Sequence, residues 1–270
     1  MCRGGVIGPR VNASVLLVGC GTMGAALAAG WAELGLAPSF AVDPTLPRVP
    51  GFSVVPASAA LPPDFSPDCV VLAVKPQLAA AALSGLARFA GASVFLSIMA
   101  GITLAHLAQA LGATAAIVRA MPNTPAAIRR GISVACAGPT VSAARRDLSD
   151  RLLSAVGSVA WTEREADLDA VTAISGGGPA YVFLLAELLE QSGLAEGLAP
   201  DLARLLARRT ISGAGALLDA DPADAATLRK SVTSPNGTTE RALAVLLADW
   251  PASVRQAIAA ATARSRELAG

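Results

Sequence analysis

Between Ser14 and Thr162 the chain repeats one pattern: a short, near-continuous apolar run, then Gly, Pro or Asp punctuation, then a longer mixed stretch. The runs are "SVLLVG", "SFAVD", "DCVVLAVKP", "SVFLSIMAG", "AAIVRAMP", "GISVACAG" and "GSVAWT". Several are nearly unbroken Val/Ile/Leu segments, which is what a strand needs when helices cover both of its faces, so they predict a mostly parallel sheet. Beyond residue 163 the runs lengthen and take helical spacing, as in "AYVFLLAELLEQSG" and "APDLARLLARRTISGAGALLDA", and no further strand is expected. The expected layout is an α/β domain over residues 1–163 and an all-α domain over 164–270, with no internal repeat or low-complexity tract. The apolar stripes of the helical part are too wide for one thin domain to bury. They predict a self-association surface and at least a homodimer.

Composition narrows the partners. A net charge of +1 leaves no basic excess for a phosphate backbone, which argues against nucleic acid. A hydrophobic content of 53% with 15% charged residues raises the question of a membrane. Phe89 to Val118 contains no Asp, Glu, Lys or Arg, but Gly91, Gly101 and Gly112 interrupt it and Ser93, Ser97, Thr103, His106 and Gln109 stud it, so it reads as a buried strand, a turn and a helix. Arg3 and Arg10 before an apolar run have the outline of a signal peptide, but a glycine motif inside that run points elsewhere. Cys2, Cys20, Cys69 and Cys136 have no paired spacing, which fits reduced thiols in a cytoplasmic protein and no metal site. Residues 1–13 match no motif and are expected to be an extension or a misassigned start.

The glycine motif is Gly19-Cys20-Gly21-Thr22-Met23-Gly24, placed directly after an apolar strand and opening an Ala-rich helix. In that setting Gly19 permits a tight turn, Gly21 lets the backbone approach a pyrophosphate, and Gly24 lets helix and strand pack closely. The anion would rest on the helix N-terminus, where N–H groups and the dipole favour negative charge. With the alternating runs, this predicts a dinucleotide-binding α/β domain in the N-terminal part of the chain. Asp43 follows the second strand, 19 residues beyond Gly24, where a ribose-binding acid is expected. Two readings of it stand: a ribose ligand favouring NADH, or a turn residue before Pro44. Arg48 offers a contrary partner for the 2′-phosphate of NADPH. Lys75 and Pro76 end the strand "CVVLAVKPQ", and Asn123 lies between Pro122 and Pro125 after "IVRAMP", both at the sheet edge where open α/β folds place ligands.

Two loops interrupt the helical part. "AISGGGPAYVF" sets Ser175 and three glycines before a long apolar helix, with Pro179 at a position that helices tolerate early. "SVTSPNGTTER", Ser231 to Arg241, gathers far more turn and hydroxyl residues than one helix cap requires. It reads as an anion cradle in which N–H groups of Gly237, Thr238 and Thr239 face a ligand at a helix N-terminus.

Taken in order, "GCGTMG", "LAVKPQ", "RAMPNTPA", "AISGGGPAYVF" and "VTSPNGTT" resemble the pyrroline-5-carboxylate reductase family over nearly the whole chain from Val15. The resemblance implies a Rossmann domain that binds NADPH or NADH through Gly19, Gly21, Thr22, Met23, Gly24, Asp43, Lys75, Pro76 and Asn123. It implies a helical C-terminal dimerisation domain, often built further into a decamer. It also implies a cyclic imine carboxylate as substrate, held by Thr172, Ser175, Ser234, Gly237, Thr238 and Thr239, with the Thr239 hydroxyl beside the imine. A cyclic imine can enter already protonated, so the lack of a well-placed His is no obstacle: the protein has to position it and offer a hydroxyl or water. The chain departs from the family pattern at Asn236, where Gly is usual, at Gly177, where Ser is usual, and in "ATLRKSV", which lacks an acid. These departures keep a six-membered imine, or a non-catalytic nucleotide-binding role, as alternatives. A β-hydroxyacid-type dehydrogenase would need a catalytic Lys on the helix opening the second domain, and "SGGGPAYVFLLAELLEQSG" has none.

Overall fold

The computed structural model describes residues 11–269; the first ten residues of the N-terminal extension, including Cys2, lie outside them. Val11 and Ala13 are buried, and Val11 N–H donates to the Leu34 carbonyl at 2.9 Å, so the end of that segment belongs to the folded body.

Among the described residues the strands are β1 (Val15–Val18), β2 (Ser39–Val42), β3 (Phe52–Val55), β4 (Cys69–Leu72), β5 (Val94–Ser97), β6 (Ala116–Met121), β7 (Gly131–Ala137) and β8 (Gly157–Thr162). They form one sheet in the order β3-β2-β1-β4-β5-β6-β7-β8. All neighbouring pairs are parallel except β6 with β7. The run 3-2-1-4-5-6 is that of a doubly wound dinucleotide-binding sheet, and the order reverses between β1 and β4. Each apolar run read from the sequence contains a strand. The addition is β3, a four-residue edge strand with no buried side chain; "FSVV" is as apolar as "SFAV" of β2, and its place at the sheet edge is what sets it apart.

Helices α1 (Thr22–Trp31), α2 (Ala79–Leu83), α3 (Leu104–Leu111) and α4 (Ala143–Ser154) cover the sheet. Alternation along β1 shows why both faces need covering. Val15 and Leu17 enter a core with Leu27, Ala28 and Trp31 of α1 and Leu148, Leu152 and Leu153 of α4, whereas Leu16 and Val18 enter the opposite core with Leu83, Leu86, Phe89, Leu107 and Leu111. Trp31 Nε1 donates to the Leu152 carbonyl at 2.8 Å, satisfying the one polar atom of a buried ring.

After β8 come α5 (Asp167–Val171), a π-helical turn (Thr172–Gly176), α6 (Gly178–Ala195), α7 (Pro200–Ala220), α8 (Ala225–Ser231) and α9 (Thr238–Ala269). The chain groups into two compact units, one running to Gly176 and resuming at Ala261, the other Gly177–Ala260. In the first, the C-terminal turns of α9 are tied down by the Ser265 hydroxyl, which donates to Asp169 Oδ1 at 2.7 Å. Gly101 faces the same turns: a Cβ there would lie 2.8 Å from the Leu268 carbonyl oxygen. In the second unit α6 and α7 pack through small residues, Gly193 against Ala203, with Ala203 and Ala207 buried. α6 itself buries nothing. Phe183 is 67% exposed, and Tyr181, Val182, Leu184, Leu188 and Leu189 are exposed with it. The helical stretch Asp167–Ala195 is long and apolar enough, by length and composition alone, to cross a membrane.

Candidate active site

The turn from β1 into α1 is built by its glycines. Gly19 has φ +95°, and a Cβ there would lie 2.9 Å from the carbonyl carbon and oxygen of Ala73, just past β4. Gly24 is tighter still, since its Cβ would stand 2.2 Å from the Gly19 carbonyl oxygen. Gly21 is the opposite case: a Cβ would meet nothing within 4 Å. Gly19 and Gly24 therefore close the turn onto the sheet, while Gly21 leaves open space on its outer side. Gly21 is also the N-cap of α1, with no side-chain cap and no acid in the first turn. A helix start with no side-chain cap and open space beside Gly21, next to the β1/β4 reversal, suits a pyrophosphate. The residues present fit a dinucleotide.

Asp43, at the end of β2, is drawn into this turn. Its Oδ2 accepts from Cys20 N–H at 2.9 Å, and its Oδ1 accepts from Thr45 N–H at 2.9 Å and from Thr45 Oγ1 at 2.6 Å. Burial is the largest single influence on its pKa and acts upward, but the bonds from the Thr45 hydroxyl, Cys20 N–H and Thr45 N–H together hold the carboxyl below its usual value. The turn reading of Asp43 is the one these bonds show: it braces the glycine turn and its own Asx turn, and its carboxylate oxygens retain acceptor capacity. The Cys20 thiol is pushed up to about 11, first by burial and then by the Asp43 charge, and is neutral. Lys75 is exposed and Pro76 half-buried in the turn after β4, beside the glycine turn.

Asn123 lies two residues past β6, in extended backbone. Its Nδ2 donates to the Ser175 carbonyl at 3.2 Å and its Oδ1 accepts from Ile132 N–H at 2.9 Å. In the helical turn it touches, the Thr172 hydroxyl donates to the Leu168 carbonyl at 2.7 Å and the Ser175 hydroxyl to the Val171 carbonyl at 3.0 Å. Both hydroxyls keep lone pairs free to accept from a ligand. Single-turn π-helices inside α-helices are frequent at functional sites.

In the second unit the loop before α9 forms a tight turn. Asn236 has φ +59°, in the left-handed region where Asn is the best tolerated residue after Gly, so the departure from the family's Gly is accommodated by the backbone. Gly237 N–H donates inward to the Ser234 carbonyl at 3.0 Å, and Glu240 Oε2 reaches back to Asn236 N–H at 2.8 Å. Thr238 and Thr239 open the 32-residue helix α9 and are exposed, and their N–H groups belong to the first turn, which has no intrahelical acceptors. Of the three donors expected in the cradle, Gly237 is thus engaged within the turn, and Thr238 and Thr239 are exposed at the start of the helix.

Sequence reasoning missed an ion pair between a buried Arg and a part-buried Glu. Arg119 on β6, with its side chain 3% exposed, donates to Glu165 Oε1 at 2.8 Å, and the same oxygen accepts from Leu104 N–H of α3 at 2.7 Å. A lone Arg inside an apolar strand was the available signal. Among the described residues no cluster of His, Cys, Asp and Glu could hold a metal.

A doubly wound sheet with an uncapped, glycine-built helix start at its reversal point, followed by a helical unit, defines an NAD(P)-dependent oxidoreductase with a separate helical module. Comparison with known proteins gives the particular family. Residues 165–268 match the family described as pyrroline-5-carboxylate reductase dimerisation. The chain is 45% identical over 204 residues to the pyrroline-5-carboxylate reductase of Pseudomonas aeruginosa, covering 75% of each chain. A crystal structure of the Plasmodium falciparum pyrroline carboxylate reductase with NADP bound superposes with a TM-score of 0.84 at 28% identity, over 97% of this chain and 100% of that one. The Coxiella burnetii enzyme gives 0.87 at 30% identity, over 96% and 99%. The chain belongs to the pyrroline-5-carboxylate reductase family.

Proposed function

We propose that this protein reduces 1-pyrroline-5-carboxylate to L-proline with NADPH or NADH, the last step of proline biosynthesis. The observation that carries this reading is the turn Ser234–Thr239, with left-handed Asn236 and exposed Thr238 and Thr239, in a chain of this family. The bound cofactor supplies a hydride to the carbon of the C=N bond. The chain's own residues do the rest. Gly19, Gly21, Thr22, Met23 and Gly24 seat the pyrophosphate on α1, with Asp43 at the ribose and Lys75 and Pro76 along the same edge. Thr238 and Thr239 N–H groups hold the substrate carboxylate at the start of α9, where the helix dipole favours it. Ser234 offers a hydroxyl in the turn before α9; Thr172 and Ser175 are assigned to the substrate by the family resemblance alone. The Thr239 hydroxyl hydrogen-bonds the imine nitrogen and relays the proton that the product amine needs when the imine enters unprotonated.

The apolar faces of α6 and α7 lie in the region matched by the dimerisation family, so they are read as covered by a second copy rather than by lipid. A homodimer, extended to a decamer, in the cytoplasm, with neither membrane nor nucleic acid as a partner, completes the proposal.

The test is imine-dependent oxidation of NADPH and NADH by the purified protein, with product analysis for proline. Oxidation that yields proline is expected. Intact cofactor binding with no proline formed would refute the assignment, and turnover of piperideine carboxylate in preference to pyrroline-5-carboxylate would redirect it to the six-membered ring.

A further inference from the structure

In an α-helix the carbonyl of residue i takes its hydrogen bond from the N–H of residue i+4. For Ser175 that residue is Pro179, which has no N–H. The next donor along, Ala180 N–H, goes to the Gly177 carbonyl at 3.0 Å. The Ser175 carbonyl therefore loses its helical donor at the point where the π-helical turn Thr172–Gly176 ends. A part-buried carbonyl in that position needs a substitute. The substitute comes from the sheet: Asn123 Nδ2 donates to it at 3.2 Å.

The other end of the same amide is also used, since Oδ1 accepts from Ile132 N–H at the start of β7 at 2.9 Å. This pairing fixes the orientation of the amide. A flip would set the NH2 against an N–H and the oxygen against a carbonyl. The backbone around Asn123 is stiffened by Pro122 and Pro125. Met121, two residues before Asn123, lies in van der Waals range of the turn, with its Sδ 3.9 Å from where a Cβ on Gly176 would be.

We infer that Asn123 is a positioning residue: its side-chain amide replaces the N–H that Pro179 lacks, and so holds the turn bearing Thr172 and Ser175 against the end of β6. It acts on the imine side of the reaction through Ser175, and its side chain is not itself a cofactor ligand. The effect on catalysis rests on the imine-reductase reading; the staple itself does not.

The experiment is a double-mutant cycle on the full-length protein: wild type, Asn123→Ala, Pro179→Ala and the double variant, with Asn123→Asp as a fifth protein. Asn123→Ala should lower kcat/KM for pyrroline-5-carboxylate by about tenfold, the scale of one partner removed from a part-buried carbonyl. The Kd for NADPH, read from its fluorescence, should move by less than about twofold on that view. Asn123→Asp keeps the acceptor for Ile132 N–H and loses the donor, so it should match Asn123→Ala in kcat/KM. Pro179→Ala restores an N–H at residue 179, so in that background Asn123→Ala should cost no more than about twofold.

Equal losses with and without Pro179 would overturn the inference, as would an NADPH Kd weakened about tenfold with the imine KM unchanged. The same cycle is read by thermal unfolding, without substrate. If the wild type shows no imine turnover the functional reading fails, while non-additive melting temperatures still support the staple and additive ones still sink it. If Asn123→Ala is recovered only as unfolded protein, its rescue to a folded state by Pro179→Ala supports the inference, and failure to rescue overturns it.

Discussion

Gly21 and Gly24 occupy one motif but should fail in opposite ways when given a methyl group. At Gly24 the added Cβ would lie 2.2 Å from the Gly19 carbonyl oxygen, against a normal closest approach of roughly 3.2 Å, so helix and turn must separate by about 1 Å. Backbone meets backbone here, and no side chain can swing away. Overpacking of that kind costs about 3 kcal/mol, the upper end of the usual range, or roughly 6–12 °C of Tm for a domain of this size. At Gly21 the Cβ would meet nothing within 4 Å, and φ is −64°, an ordinary value for any residue. Gly21→Ala should therefore leave Tm unchanged or slightly raised, because the unfolded chain loses freedom. Its methyl group occupies the space where a pyrophosphate approaches the backbone. Loss of one or two charge-assisted bonds, about 1.5–3 kcal/mol in all, weakens NADPH binding by roughly 10- to 100-fold. The assay is a melting curve beside a fluorescence titration of NADPH on both variants. Wild-type NADPH affinity in well-folded Gly21→Ala would refute the placement of the pyrophosphate, and an unchanged Tm in Gly24→Ala would refute the close packing.

Thr239→Ala keeps the backbone donors of α9 and removes only the hydroxyl, so turnover should fall by roughly 10²-fold with little change in cofactor affinity; normal steady-state kinetics in the folded variant would end its part in the chemistry. Glu165→Ala strands the Arg119 guanidinium, whose Nε and Nη2 already have no hydrogen-bond partner, and should destabilise the fold by about 3–5 kcal/mol in urea unfolding, while a cost below about 1 kcal/mol would show the pair to be solvated. At Asp43 the folded pKa lies below the ordinary 3.8, so the carboxylate's stabilising contribution is full above that value and is lost as pH falls through the folded pKa. Asp43→Asn should accordingly flatten the acid limb of the stability curve below about pH 4, and an unaltered limb would contradict the bracing role. The same carboxylate repels a 2′-phosphate, so NADH should serve at least as well as NADPH in the wild type; a strong NADPH preference unchanged in Asp43→Asn would remove Asp43 from the cofactor site.

What the sequence determined by itself is whatever depends on local backbone chemistry. Gly19 and Gly24 are legible because only glycine meets their turn and packing requirements, Gly21 because a ligand's approach to the backbone favours it, and the central strands because strands covered on both faces must be apolar along their whole length. The "SPNGTT" loop is legible for the same local reason, since Asn236 and Gly237 are turn residues whatever they face. Tertiary structure decided the partners. The antiparallel placement of β7 depends on how the chain returns from the proline-bounded turn after β6, which no run of apolar residues encodes. The pairing of Arg119 with Glu165 joins residues 46 positions apart, and that of Ser265 with Asp169 joins residues 96 apart. Asn123 is the clearest case. Its sequence context places it at the ligand edge, but which atoms its amide meets depends on a carbonyl 52 residues away that a proline has deprived of its donor. Hydrogen-bond partners across such separations are set by where the completed sheet and helices bring the chain together, and that is a property of the packed fold rather than of any segment within it.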